Sequence, residues 1–165
     1  MTEIASNNWI GRTHLQKACF FGQEVSGVPL GYDFTIYQYG PYSFGLDAEI
    51  QELVAMEAFS VQAPGGYPDY SLGKNAAALL TKTTSDSIRE HQRAVESVAE
   101  QVAPRHSRDL ELLATLLFVA QQTEAHSEAV RKVQRLKPHF TTEDVESAQG
   151  ELEQLVGALK GPELP

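Results

Sequence analysis

Three tyrosines around a Gly-Pro turn form the most specific local signal for binding in this sequence. They are Tyr37, Tyr39 and Tyr42, and they flank Gly40 and Pro41. Glycine permits a positive φ and proline fixes its own φ, so the pattern predicts a stiff, sharply bent segment. Tyrosine is favoured in protein interfaces, which makes these rings a candidate interaction surface. The alternative, which is the commoner role near a turn, is that the rings brace a strand–helix corner and bury against the helical half.

A small basic cluster precedes the tyrosines. Arg12, His14 and Lys17 lie within six residues of one another, on the first predicted helix. We assign them to the same candidate interaction surface. Two roles stay open for Lys17. It either pairs with an acidic residue of a helix predicted over 43–57, or it binds a ligand or phosphate together with Arg12.

The strongest basic segment lies in the C-terminal half. Arg131, Lys132 and Arg135 share one face of a predicted helix, and we treat them as a candidate basic patch. If the chain touches nucleic acid, this patch is the first place to look. The alternative is a solvated helix face on which these cations pair with Glu124 and Glu128.

The sequence contains no motif that predicts catalysis or metal binding. Its five histidines lack the spacing of a metal site, either with one another or with Cys19, the single cysteine. Cys19 falls on the apolar stripe of a helix, which indicates inert packing. Neither a nucleophile elbow nor a phosphate-binding loop is present. We therefore predict no catalytic residue, no metal and no cofactor, and an enzyme with a dispersed site remains an alternative.

Charge argues against nucleic acid as the partner. The chain carries a net charge of −9, with both halves acidic, whereas nucleic-acid binders usually present a basic face. The helix predicted over 43–57 would be the recognition helix of a winged helix, and it carries Asp47, Glu49, Glu52 and Glu57 but no lysine or arginine. Nucleic acid is therefore a disfavoured partner, and a protein is the favoured one.

Other features predict a cytoplasmic protein without a membrane span or a signal peptide. The longest apolar run, residues 112–120, has nine residues, well short of the roughly 18 needed to cross a bilayer. No basic segment followed by an apolar one opens the sequence. A single cysteine fits a reducing compartment.

Periodicity and turn signals predict the elements that would position these residues. The N-terminal part has a helix over 13–26 with a capping box at Thr13 and Gln16, and a strand over 33–39 ended by Gly40-Pro41. A second helix over 43–57 is capped by Ser43. A hairpin (59–62 with 69–72) and a short helix (75–82) follow. The C-terminal part is helical, with helices predicted over 84–102, 107–120, 127–136 and 141–160, the last capped by Thr141 and Asp144.

These elements predict an α+β fold that is mainly α. We expect a winged-helix-like region over 1–82, with a small sheet, packed on a helical region over 83–165 as one unit. The amphipathic last helix is also a candidate face for a homodimer.

Three short motifs resemble one family. They are Arg12-Thr13-His14-Leu15-Gln16-Lys17, Tyr39-Gly40-Pro41-Tyr42-Ser43 and Leu136-Lys137-Pro138-His139-Phe140. Together they look like the YwgA-like group of uncharacterised prokaryotic proteins. The "L-Q-K" helix and "Y-G-P" turn are more distantly similar to Panacea-type (SocA-like) domains of antitoxins and proteolytic adaptors. The resemblance implies a winged-helix-like N-terminal part and assigns no catalytic residue. Relatives usually have a fuller helix before the Arg-Thr pair.

The leading hypothesis is a noncatalytic regulatory or protein-interaction module, similar to antitoxins or adaptors. It follows from the absence of a catalytic motif, the acidic composition and the family resemblance. The second hypothesis is a dimeric winged-helix regulator that binds DNA.

Overall fold

The computed structural model describes residues 9–83, 86–123 and 125–160, and over these ranges the chain forms seven helices and five short strands. The helices are α1 (Arg12–Glu24), α2 (Phe44–Ala55), α3 (Ala76–Thr83), α4 (Asp86–Val102), α5 (Ser107–Ala120), α6 (His126–Leu136) and α7 (Thr142–Lys160). The strands are β1 (Ile10–Gly11), β2 (Thr35–Tyr37), β3 (Gly40–Tyr42), β4 (Phe59–Gln62) and β5 (Asp69–Leu72). The predicted helices agree with these bounds to within two residues, except that residues 84 and 85 lie outside the described ranges.

Side-chain caps fix the starts of two helices as predicted. The Ser43 hydroxyl accepts a hydrogen bond from the Leu46 amide at 3.3 Å, which satisfies a free donor in the first turn of α2. At α7 the Thr141 hydroxyl accepts from the Asp144 amide at 3.1 Å, and the Asp144 carboxylate accepts from the Thr141 amide at 2.8 Å. These bonds favour the ionised carboxylate, so they lower the pKa of Asp144.

The capping box predicted for α1 is wrong. Gly11 occupies the N-cap position of α1, where no side chain caps the helix. Gln16 is instead buried, and its amide bonds to Ser43, 27 residues further along the chain. The sequence pattern of a capping box is therefore present here without its local hydrogen bonds.

Two small antiparallel sheets lie in the N-terminal half. One has the strand order β1-β5-β4, and its β4–β5 pair is the predicted hairpin, with Val61 opposite Tyr70. The other pairs β2 with β3, so that Thr35 faces Tyr42 and Tyr37 faces Gly40. The interpretation of Gly40-Pro41 as a strand-ending turn is therefore wrong, because both residues belong to β3.

The buried side chains form two apolar clusters, and α1 contributes to both. Phe20 and Phe21 of α1 are almost completely buried in the larger cluster, which is otherwise built from α4, α5, α6 and α7. Leu15 of α1 belongs to the smaller cluster, with Leu46 of α2 and Tyr70 of β5. This helix therefore joins the N-terminal sheet to the C-terminal helices.

The α+β, mainly α fold class is confirmed. The apolar stripe of α7 packs inside the chain, with Val145 and Leu155 completely or almost completely buried, which leaves little of it for the candidate dimer face. The homodimer itself stays a prediction. The division into regions 1–82 and 83–165, and the winged-helix class, stay predictions. None of the described helices has the length and apolar character needed to cross a membrane.

Candidate binding site: an aromatic cleft above buried lysines

A cleft of about 420 Å³ lies where the N-terminus of α1, the β2–β3 hairpin and the start of α2 meet the loop before β5. We call it the aromatic cleft, because five of its lining residues carry aromatic rings. Its lining residues are Arg12, Thr13, Gln16, Lys17, Tyr37, Gln38, Tyr39, Tyr42, Phe44, Asp47, Tyr67 and Pro68. Five of the six residues that we predicted for an interaction surface therefore lie together.

Three of the rings pack against one another and form what we call the aromatic triad, namely Tyr37, Tyr42 and Phe44. The ring centroids of Tyr42 and Phe44 are 5.1 Å apart, and those of Tyr37 and Phe44 are 5.6 Å apart, both in edge-to-face arrangements. Tyr37 and Tyr42 lie 5.5 Å apart. Edge-to-face pairs are favourable beyond the area they bury, so the triad holds its shape without a partner.

The outer rings of the cleft are open to solvent. The exposed fraction is 48% for Tyr37, 50% for Tyr39, 60% for Phe44 and 67% for Tyr67. The neighbouring hydroxyl of Tyr67, which lies in the β4–β5 loop, raises the pKa of Tyr39 in the β2–β3 hairpin. The bracing role proposed for the tyrosines therefore fits Tyr42, which is half-buried. It does not fit Tyr37 and Tyr39, whose rings remain exposed.

Two buried side chains of α1, Gln16 and Lys17, bind the backbone of β3 and of the residue that follows it. The Gln16 side chain donates to the Ser43 carbonyl at 3.0 Å and accepts from the Ser43 amide at 2.9 Å. The next residue, Lys17, donates from Nζ to the Pro41 carbonyl at 2.8 Å. Both side chains are 1% exposed, so these bonds form in a region that excludes water.

Lys137 anchors the same hairpin from the C-terminal half. Its Nζ donates to the Tyr37 carbonyl at 3.0 Å and also to the Gln38 carbonyl. It forms an ion pair with Glu111 of α5, with 2.7 Å between Nζ and Oε1. We call Lys17, Lys137 and Glu111 the lysine clamp, since the two amines bind backbone carbonyls on both strands of the hairpin.

The clamp places two amines and one carboxylate in a buried region. Burial and, to a smaller extent, the charge of Lys137 lower the pKa of Lys17 to about 7, and the charge of Glu111 acts in the opposite direction. An amine with such a pKa is suited to nucleophilic chemistry. However, Lys17 is nearly inaccessible and already donates to Pro41, and both facts favour a structural role.

Gly40 makes the close approach between hairpin and α5 feasible. Its φ of +83° lies in the region that disfavours residues with a Cβ. A Cβ at this position would also lie 2.8 Å from the Thr115 hydroxyl oxygen and 3.1 Å from the Glu111 carbonyl oxygen. Only glycine therefore satisfies both the backbone conformation and the packing.

Arg12 and Asp47 add charge to the rim of the cleft. The Arg12 guanidinium lies 3.7 Å from Asp47 Oδ1, which is an ion pair longer than a hydrogen bond. Burial and the neighbouring Asp47 carboxylate raise the pKa of Tyr42 to about 12. The Asp47 Oδ1 atom itself is shielded from solvent and has no hydrogen-bond partner among the described residues.

Comparison with known proteins agrees with the motifs. The chain is 29% identical over 155 residues to the uncharacterized protein YwgA of Bacillus subtilis (strain 168), spanning 91% of this chain and 89% of that protein. The resemblance to the YwgA-like group is confirmed. No family model matches the chain.

The structure gives a physical role to the motifs that carry the YwgA-like resemblance. Gln16 and Lys17, in the first motif, bind backbone atoms of the Tyr39–Ser43 motif. Lys137, in the third motif, binds the Tyr37 carbonyl, which lies just before the Tyr39–Ser43 motif. Three segments that are distant in sequence thus meet at one hairpin. The motifs specify how the aromatic cleft is built.

Two of the predicted site roles are wrong. His14 faces away from the cleft, and its Nε2 donates to the Arg105 carbonyl at 2.8 Å where α4 leads into α5. Lys17 does not pair with an acid of the helix at 43–57, because its amine points to Pro41. The acid that does approach a cation from that helix is Asp47, which lies beside Arg12.

The predicted basic patch on α6 lies apart from the cleft. Arg131 and Arg135 line a shallow depression with Glu128, but no carboxylate of the described chain lies within ion-pair distance of either guanidinium. The Lys132 amine donates to the Gln122 side chain at 3.1 Å. The predicted pairing with Glu128 is therefore wrong, and Glu124 lies outside the described residues.

Several site residues escaped the sequence analysis. Glu111 is in a helix whose stripe looked purely apolar, and Phe44 and Tyr67 lie outside the Tyr37–Tyr42 segment. The one signal that pointed to Lys137 was its motif in the family resemblance. Cys19 behaves as expected, since it packs in the smaller cluster and burial raises the pKa of its thiol to about 11.

Proposed function

We propose that this protein is a noncatalytic regulatory module that binds a segment of a partner protein in the aromatic cleft. The observation that carries the proposal is the ring of four aromatic side chains, each about half exposed or more, around one concave surface. Exposed aromatic residues at a cleft are typical anchors of protein interfaces, and tyrosine provides large contact area with little loss of conformational entropy.

The lysine clamp supports this proposal. A binding loop gains affinity when it is ordered before the partner arrives, because the entropic cost of ordering is then met by the fold. The hairpin that carries Tyr37 and Tyr39 is fixed by buried bonds from Gln16, Lys17 and Lys137. We expect the module to act in the prokaryotic cytoplasm, as an antitoxin-like or adaptor-like protein.

The proposal is tested by affinity purification from the native host with matched variants. Tyr37→Ser/Phe44→Ser removes two exposed rings of the cleft, and truncation of interface hot spots typically weakens binding by about 30-fold or more. The control, Met56→Ser/Val61→Ser, removes two side chains of similar exposure outside the cleft. A partner recovered with wild type and control but lost from the cleft variant supports the proposal. Equal recovery by all three proteins refutes it.

DNA binding is the second candidate, favoured by topology. The chain order β1, α1, α2, β4 and β5, with β1 pairing to β5, resembles the strand–helix–helix–ribbon part of a winged helix, with the β2–β3 hairpin inserted between its helices. The acidic α2 opposes this candidate, since Glu49 and Glu52 lie on its exposed face.

An electrophoretic shift assay at low salt with genomic fragments separates the two candidates. We expect no specific band. A specific band that is lost in Arg12→Ala or in Arg131→Ser/Arg135→Ser would favour the DNA-binding regulator.

A further inference from the structure

We propose that the residue which the partner inserts into the aromatic cleft is an arginine, stacked on the aromatic triad and hydrogen-bonded to Asp47. This inference rests on the proposed function and specifies the chemistry of the partner. Four observations lead to it.

The first observation is the geometry of the triad. Phe44 and Tyr37 present exposed ring surface beside one another, with centroids 5.6 Å apart. The faces of aromatic rings carry negative electrostatic potential and attract cations. A planar guanidinium stacks on such a surface, whereas an ammonium ion acts as a point charge and retains its water more strongly.

The second observation is the carboxylate of Asp47. Asp47 follows Phe44 by three residues on α2, so both side chains project toward the same part of the cleft. The side chain is 25% exposed while its Oδ1 atom is shielded from solvent, so a donor in the cleft approaches the other carboxylate oxygen, Oδ2. A cationic donor there would form a charge-assisted hydrogen bond, which is stronger than a neutral one.

The third observation concerns Arg12, which could instead attract an anion. Its guanidinium lies 3.7 Å from Asp47 Oδ1, so the carboxylate offsets its charge without hydrogen-bonding to it. The remaining cation of the lining, Lys17, is buried and donates to the Pro41 carbonyl. Arg12 and Asp47 together carry no net charge, so the rim of the cleft offers no excess positive charge to an anionic group.

The fourth observation is charge complementarity. Over the described residues 9–74 the chain carries three Lys or Arg against seven Asp or Glu, and the whole chain has a net charge of −9. Lys74, the third of those cations, forms an ion pair with Glu57. The field around the cleft thus favours the approach of a basic segment.

The experiment is an NMR titration of the full chain with small probes that need no knowledge of the partner. The probes are the N-acetyl methylamides of arginine, of citrulline, which has a neutral side chain of the same shape, and of glutamate. In 20 mM NaCl we expect the arginine probe to shift backbone amides of residues 37–47, with a Kd on the order of a few millimolar. Citrulline should bind at least fivefold more weakly, and glutamate should cause no saturable shift.

Asp47→Asn tests the role of the carboxylate while keeping the shape of the side chain. We expect arginine to bind about tenfold more weakly to this variant, with citrulline unaffected, because only a cation gains from the charge-assisted bond. The dispersion of the variant's spectrum reports whether it is folded, and the comparison of probes on wild type needs no variant. Equal binding of arginine and citrulline, tighter binding of glutamate, or the absence of saturable shifts would each overturn the inference.

The outcome can be separated from that of the proposed function. If the captured partner depends on Tyr37 and Phe44 but is retained by Asp47→Asn and in 500 mM NaCl, the arginine inference fails and the binding module stands. If the aromatic double variant captures the partner as well as wild type does, the proposed function itself fails.

Discussion

Raising the pH from 7 to 9 is expected to stabilise this fold, because Lys17 is buried in a site that disfavours its charge. Burial, followed by the neighbouring charge of Lys137, lowers the pKa of Lys17 to about 7, against an ordinary value of 10.5. Between these two values the unfolded chain holds a proton that the folded chain has released. The free energy of unfolding therefore rises with pH in this window and falls as the pH returns to 7.

The size of the effect follows from the linkage relation. One proton of difference changes the free energy of unfolding by about 1.4 kcal/mol per pH unit, so two units give roughly 2 kcal/mol once partial protonation near pH 7 is allowed for. The thiol of Cys19 sets the upper limit of the window. Its pKa is raised from 9.0 to about 11, so above pH 9 ionisation of the unfolded thiol offsets the gain from Lys17 and the stability levels off.

Urea unfolding followed by circular dichroism at pH 7, 8 and 9, at constant ionic strength, measures this slope. We expect wild type and Cys19→Ala to gain stability at a similar rate, and Lys17→Met to show almost no change. Loss of the donor to Pro41 adds a cost of about 1 to 3 kcal/mol that does not depend on pH, so it lowers the whole profile of Lys17→Met and creates no slope in it. A flat wild-type profile, or the same slope in Lys17→Met, would refute the reasoning.

Three further substitutions test how the cleft and its scaffold are held. Gly40→Ala places a methyl group 2.8 Å from a threonine hydroxyl oxygen, so we expect a loss of about 3 kcal/mol in thermal or urea unfolding. Its control, Gly150→Ala in α7, meets nothing within 4 Å and should stabilise the chain by about 0.5 to 1 kcal/mol. Glu111→Gln removes the anion of a buried ion pair, so we expect the free energy of unfolding in urea to fall by about 3 kcal/mol. Adding Lys137→Met should recover part of this loss, because it removes the cation left without a partner. Additive effects of the two substitutions would contradict this expectation. Thr141→Ala removes the cap of α7 and should lower the free energy of unfolding, measured by urea unfolding, by about 1 kcal/mol. An unchanged stability would show that the cap is dispensable.

The sequence was informative where the governing interaction is local. The caps at Ser43 and at Thr141 bond to amides three residues away, so a short motif contains both partners. The β4–β5 hairpin likewise lies within fourteen residues, with its turn chemistry between the strands. Helix bounds followed from apolar periodicity for the same reason.

The interactions that build the cleft are not local, and no short motif contains both of their partners. Gln16 has the spacing of a capping residue, but its amide binds Ser43 because the chain folds that segment onto α1. Periodicity treats Lys137 as a solvated end of a helix, although its amine is buried against carbonyls one hundred residues earlier. Tyr39 and Tyr67 line the same cleft although they are 28 residues apart, and no spacing rule relates them. Five of the six predicted residues were nevertheless correctly grouped, because they flank one hairpin and the helix below it.

The distance along the chain between Lys137 and Tyr37 also sets the order of events during protein synthesis. Their bond joins residues separated by 100 positions. At about 5 to 20 residues per second, a ribosome completes Lys137 some 5 to 20 s after Tyr37 has been made. The nascent hairpin spends that time without its second anchor. A nascent chain that ends before Lys137 therefore lacks one anchor of the hairpin, and we expect its cleft to be less ordered than in a chain that contains all three motifs.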